Sequence, residues 1–191
     1  MDKRQQLIQT AFDLFYRNGI HAVGINQILQ TSGIAKKTLY HHFASKQALI
    51  EAVLEYRDEK FYNWLASRVD AVKPGYDGLN ELFDALDDWI NNRVKLLTDF
   101  HGCFFINTCA EFSDPQHPLH QISQRHKQRV NTLIESQLRA LGIIAPAVYS
   151  MTESISLLKE GAIVMAHVQG NLSAAQKGKD MAWLILAAYF S

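Results

Sequence analysis

The stretch SGIAKKTLYHHFASKQAL, Ser32–Leu49, decides the fold. It sets two lysines, a tyrosine and two histidines between a glycine and a Ser-Lys pair, a composition that no other part of the chain repeats. Just upstream, Ile25, Ile28 and Leu29 share one helical face, which predicts a short helix over 25–31 closed by Ser32-Gly33. A second short helix is expected over 36–42, held down by Ile34 and Leu39. Helix, glycine turn, helix is the helix-turn-helix pattern, whose second helix enters the major groove of DNA. This packing turns Lys36, Lys37, Thr38 and His41 outward. Lysine ammoniums reach phosphates or guanine O6 and N7, Thr38 meets a base edge or a thymine methyl, and Tyr40 donates its hydroxyl to a phosphate. Ser45-Lys46 then opens a further helix, where backbone N–H groups and a lysine together form an anion site. The same residues on a small bundle also fit a merely solvated basic face.

Charge separates the two readings of this stretch. The 191 residues carry no formal net charge, but the distribution is uneven. Residues 1–50 hold Lys3, Arg4, Arg17, Lys36, Lys37 and Lys46 against Asp2 and Asp13, a net +4, which leaves −4 on the rest. A cationic head on an anionic body is expected to meet a polyanion through the head alone. An architectural protein that coats DNA would carry its positive charge along the body as well.

Working outward, helical periodicity dominates. Leu7, Ala11, Leu14 and Phe15 recur on one face, and Asn18-Gly19 stops that helix. Ser45 is a good N-cap for a fourth helix whose pattern passes Phe61 and Trp64 and ends at Pro74-Gly75. Further helices are expected near 78–99, 102–112, 117–141, 147–169 and 173–190, separated by proline and glycine. No run of alternating β-branched residues competes, so the fold class is all-α, with about nine helices.

Within that fold, Ile155, Leu158, Ala162, Met165 and Ala166 form one stripe, while residues 181–190 are apolar nearly all round. A helix apolar on every face needs cover on every face. A second copy of the chain is the expected cover, through Ile155, Leu158, Ala162, Met165, Met181, Leu184, Ile185 and Ala188. The apolar run Met181–Phe190 is far short of the roughly 20 residues that span a bilayer. No membrane partner is expected. A polar, charged beginning without a secretory pattern gives the expectation of a cytoplasmic protein. Cys103 and Cys109, outside any CxxC pattern, are too few for a disulfide framework and agree with a reducing compartment.

The head also carries a resemblance. Residues from Leu7 to Glu55 resemble the amino-terminal domain of the TetR family of transcriptional regulators, through Ala11-Phe12, Leu14-Phe15, Gly19, Ile28, Gly33, the run Thr38–Phe43, Lys46 and Leu49. The core TLYHHFASK carries most of it. The resemblance implies a helix-turn-helix DNA-binding domain over 1–48 and a helical ligand-binding and dimerisation domain over 49–191. It further implies a homodimer on a palindromic double-stranded operator, acting as a repressor that an unknown small-molecule effector releases. Residue by residue, it places Lys36, Lys37, Thr38, Tyr40, His42 and Lys46 on DNA, with Gly24 and Asn26 near the backbone. Two departures stand out. Gly24 occupies a position where the family usually has Thr or Ser, and Ala35 one where a Ser often caps the recognition helix. The weaker cap costs about 1 kcal/mol.

In the body, HGCFFINTCAEF (His101–Phe112) resembles a sensor segment of some family members and has the make-up of a small-molecule pocket wall or of a core helix. Trp89, Cys103, Phe105, Asn107 and Met165 are the expected pocket residues, with His167 nearby. Cys103, near a helix start, gives an alternative: a thiol sensor for electrophiles or oxidants. Asp114, His117 and His120 recur at threes but straddle Pro115 and Pro118 and read as loop and helix-start residues rather than metal ligands. Paired carboxylates, a nucleophile elbow and a phosphate loop are missing from the pattern. The sequence therefore predicts neither an enzyme nor a cofactor.

Overall fold

The computed structural model describes residues 2–191. Nine helices and no strands are present among them: α1 (Lys3–Asn18), α2 (Ile25–Ser32), α3 (Lys36–His42), α4 (Lys46–Val69), α5 (Tyr76–Ile90), α6 (Phe104–Glu111), α7 (Pro118–Ala140), α8 (Ala147–Gln169) and α9 (Ala174–Phe190). Two compact units are formed. One unit is the chain up to Lys60 with Cys103–His126; the other is Phe61–Gly102 with Lys127–Ser191.

In the first unit, the apolar faces of α1 to α4 meet in a core of Leu7, Ala11, Phe15, Ile28, Leu39, Leu49 and Val53, all buried. Phe12 stacks on Tyr16 at 5.3 Å between ring centroids and meets Phe104 of α6 edge-on at 5.4 Å. Arg57 of α4 is wholly buried, its guanidinium over the rings of Phe12 (5.3 Å) and Tyr16 (5.6 Å). Desolvation lowers its pKa, against the opposing pull of Tyr16, Cys103 and Tyr56. Aromatic faces carry negative charge density and offset part of the cost of burying this cation. Ser45 caps α4 as its sequence suggests, its hydroxyl accepting the Ala48 N–H at 3.1 Å.

In the second unit, α9 packs on α5 and α8. Gly178 permits the close crossing: a Cβ there would stand 3.0 Å from the Phe83 ring and 3.5 Å from the Leu158 carbonyl oxygen. Polar pairs fix the register, with Trp183 Nε1 donating to Asn80 at 2.7 Å and Lys179 to Asp84 at 2.7 Å.

Two expectations for this unit need correction. Helix α5 ends at Ile90, well before residue 99. Asn92 adopts φ +58°, Arg93 folds back to pair with Asp87 and Asp88, and the Asn92 side chain accepts the Phe100 N–H at 2.6 Å. These polar contacts reverse the chain where the apolar spacing alone would have continued a helix.

The second correction concerns α8. Ile155, Ala162 and Ala166 are buried within the protomer and Leu158 is half-buried, so these residues of the stripe face the chain's own helices, while Met165 is exposed. The apolar face left outward is a different one, Leu157, Gly161, Val164 and Val168, with Leu157 73% and Val168 75% exposed. On α9, Ala182 and Leu186 face inward. Met181, Leu184 and Ala188 lie outward, and Ile185 is half-buried.

Candidate nucleic-acid interface

The interface is built on a short turn. Gly33 closes α2 with φ +68° and ψ 13°, the left-handed conformation that glycine adopts without a Cβ penalty, and its N–H bonds back to Leu29 O at 3.0 Å. Ser32 helps, its hydroxyl donating to Leu29 O and accepting the Ile34 N–H, both at 3.3 Å. Gln6 of α1 donates to Ser32 O at 2.9 Å and ties the turn to the bundle. The chain therefore enters α3 at Lys36 in a fixed direction.

Leu39 anchors α3 in the core of the unit. On a helix, residues three and four positions from such an anchor share its face, while the intervening ones point away. Lys37, Tyr40 and His41 are accordingly exposed, Lys36 is exposed as the first residue of the helix, and Thr38 and His42 are half-buried at the margin. Ala35 precedes the helix without a side-chain cap. Gly24 and Asn26 are exposed at the start of α2. Gly24 has φ −87° and open space where a Cβ would sit, so nothing in its backbone demands glycine. Arg4 of α1 lies over the Phe43 ring at 5.3 Å and adds a cation beside α3. The result is a convex helix face bearing two lysines, a phenol and an imidazole, chemistry suited to phosphates and base edges.

Lys46 stands apart from this set. Its ammonium is half-buried and donates to Ile20 O at 2.8 Å, with the Phe15 ring 5.8 Å away. Desolvation lowers its pKa, and the negative charge of Glu111 partly offsets this. One of its donors is thus used inside the protein.

A family model described as bacterial regulatory proteins, tetR family, matches residues 7–53, the segment that builds this turn and helix. The chain is also similar, with a TM-score of 0.85 and 26% identity, to the solved structure of a TetR-family transcriptional regulator from Streptomyces coelicolor. That match covers 98% of this chain and 90% of the other. The chain belongs to the TetR family of transcriptional regulators. Curated TetR-type relatives agree. One is the HTH-type transcriptional regulator LmrA of Bacillus subtilis, 25% identical over 167 residues and 86% of each chain. Another is the HTH-type transcriptional repressor KstR2 of Mycolicibacterium smegmatis, 35% identical over 120 residues, 56% of this chain and 57% of the relative. DNA binding and transcription regulation follow for this TetR-family chain.

The expected pocket residues lie in different settings. Cys103 occupies the N-cap position of α6 and is 6% exposed, and Asn107 is half-buried one turn later. Phe105 is buried and stacks on the His126 ring at 3.7 Å, while His126 Nδ1 lies 2.6 Å from Asp58 Oδ1. In the second unit, Trp89 is buried against the edges of Phe61 (4.9 Å) and Phe100 (4.8 Å). Met165 is exposed, which does not suit a pocket wall within one protomer. A cavity of about 260 Å³ in that unit is lined instead by Lys73, Pro74, Tyr76, Asp77, Ala140 and Leu141. His117 Nδ1 accepts the Leu119 N–H at 3.3 Å and His120 Nδ1 lies 3.0 Å from Phe112 O, so both rings serve local structure.

Sequence reasoning missed the role of Glu111, on the last turn of α6, whose carboxylate accepts the Ile20 and His21 N–H groups. A signal for it existed. An acidic residue at a helix C-terminus opposes the helix dipole and calls for a compensating partner elsewhere.

Proposed function

We propose that this chain is a homodimeric repressor that binds a palindromic operator and is released by a small, mostly apolar molecule held in the body. The exposed cationic face of α3 carries the reading, since Lys36, Lys37, Tyr40 and His41 lie outward with Leu39 as their anchor. Dimerisation is supported by the outward apolar faces of α8 and α9, whose exposed leucines, valines and methionine would otherwise remain in water. Repression is supported by the likeness to a relative named as a repressor. Binding of effector weakens the operator complex only by its differential affinity for the two shapes of the dimer. The cytoplasm, where such an operator resides, is the proposed location.

Selection of bound genomic fragments tests this. A palindrome with half-sites about 34–36 Å apart, or a multiple of that, is expected, bound by two chains. Enrichment of fragments without two-fold symmetry contradicts the dimeric repressor. The second reading is a thiol switch at Cys103, which its place at the start of α6 supports and its burial opposes. A compound screen separates the two: operator release only by thiol-reactive compounds, lost in Cys103→Ser, replaces the non-covalent reading.

A further inference from the structure

Glu111 closes α6, yet its carboxylate serves a loop 90 residues away in sequence. Oε1 accepts the Ile20 N–H at 2.7 Å, and Oε2 accepts the His21 N–H at 2.6 Å and lies 2.9 Å from His21 Nδ1. Gly19 fits against it, since a Cβ there would stand 3.3 Å from Oε1. The next residue, Phe112, stacks on the His21 ring at 4.7 Å between centroids and 25° between planes. On its carbonyl side, Ile20 is gripped by the Lys46 ammonium at the start of α4. The turn Gly19–His21 is thus held through its N–H groups by α6 and through a carbonyl by α4.

This turn leads within three residues to Gly24, the N-cap of α2, and α2 carries the glycine turn that aims α3. Hydrogen bonds from backbone N–H groups to an ionised carboxylate are shorter and about twice as strong as neutral ones. Burial works to raise the Glu111 pKa, but the two backbone N–H bonds and the His21 side chain outweigh it and hold it below its ordinary value. The carboxylate is therefore ionised while the clamp is closed. A shift of the end of α6 must either carry the turn with it or break both bonds.

We propose that Glu111 is a positioning residue for DNA binding: through the Gly19–His21 turn it fixes the entry of α2, so that a carboxylate at the end of α6 sets operator affinity without touching DNA. This rests on the operator-binding reading above. The test measures anisotropy of the selected operator and of an unrelated duplex, with amide exchange at Ile20 and His21, in the full chain and in Glu111→Gln and Glu111→Ala. Expected are faster exchange at both amides and a loss of operator affinity on the order of tenfold. Affinity for the unrelated duplex should stay within about twofold, because the exposed Lys36 and Lys37 keep their charge in both variants. If the alanine variant melts below the assay temperature, the isosteric glutamine variant decides. Operator affinity within twofold of wild type in the folded variants overturns the proposal, and so does an equal loss on both duplexes. A wild-type chain that binds no selected duplex instead overturns the operator reading beneath it.

Discussion

Replacing Leu184 by glutamate is the sharpest test of the assembly. Leu184 lies on the outward side of α9 and is 62% exposed in the protomer. Fully burying a leucine side chain stabilises by about 2 kcal/mol relative to exposure, so covering this remainder contributes about 1.2 kcal/mol per protomer. A two-fold interface counts each residue twice, which gives about 2.4 kcal/mol per dimer, or roughly 60-fold in Kd. Leu184→Ala keeps one carbon of the side chain and should weaken the dimer by roughly 20-fold. Leu184→Glu also buries a charge in an apolar contact, at a cost of several kcal/mol where water is excluded. Sedimentation velocity over a dilution series should therefore show monomer for the glutamate variant and a shifted midpoint for the alanine variant. Thermal melting of the glutamate variant, followed at a concentration where wild type is dissociated, should barely change because the site is exposed in the protomer. Ile155→Glu is the contrasting case: that side chain is buried in the protomer, so the variant should fail to fold. A wild-type monomer at micromolar concentration, or a glutamate variant with the wild-type Kd, refutes the argument.

Lys37→Ala should leave the fold intact, because the residue is exposed, and should reduce the salt slope of operator binding by about one unit if its ammonium meets a phosphate. Altered sequence preference with an unchanged slope would mark it as a base contact. Gly33→Ala places a Cβ on a left-handed residue with open space around it, so strain alone acts; a loss of about 1–2 kcal/mol is expected in denaturant titrations. Gly24→Ser should gain a few tenths of a kcal/mol as an N-cap and tighten operator binding through a new hydroxyl, since no neighbouring atom obstructs it. The Glu111 carboxyl, held below its ordinary value, contributes stability that is present above the unfolded pKa and lost as pH falls through the folded one. Wild type should therefore lose more stability than Glu111→Gln between about pH 5 and pH 3, and parallel curves would discount the clamp.

The recognition helix was legible because its determinants are local. Periodicity placed α2 and α3, Gly33 supplied the left-handed residue, and Leu39 as anchor settled which side chains point outward, all within about twenty residues. Lys46 was legible as a cation but not as a partner of Ile20, because nothing in its neighbourhood names a carbonyl 26 residues earlier. The apolar content of α8 and α9 was equally plain, yet Ile155, Ala162 and Ala166 of the stripe assigned to the outside of α8 are covered by their own protomer.

From residue spacing alone, the chain determined an all-α protein with a cationic helix-turn-helix head, since helical period, glycine turns and caps act over a few residues. Tertiary structure decided what depends on distant partners. Helix α5 ends where Arg93 turns back on Asp87 and Asp88. The outward face of α8 is the one left after its neighbours cover Ile155 and Ala162. Glu111 acquires its role only because folding brings it to the Ile20 and His21 amides, about 90 residues away. A side chain's chemistry is written in the sequence, but burial and hydrogen-bond partners belong to the assembled surfaces, and short-range periodicity carries no information about them.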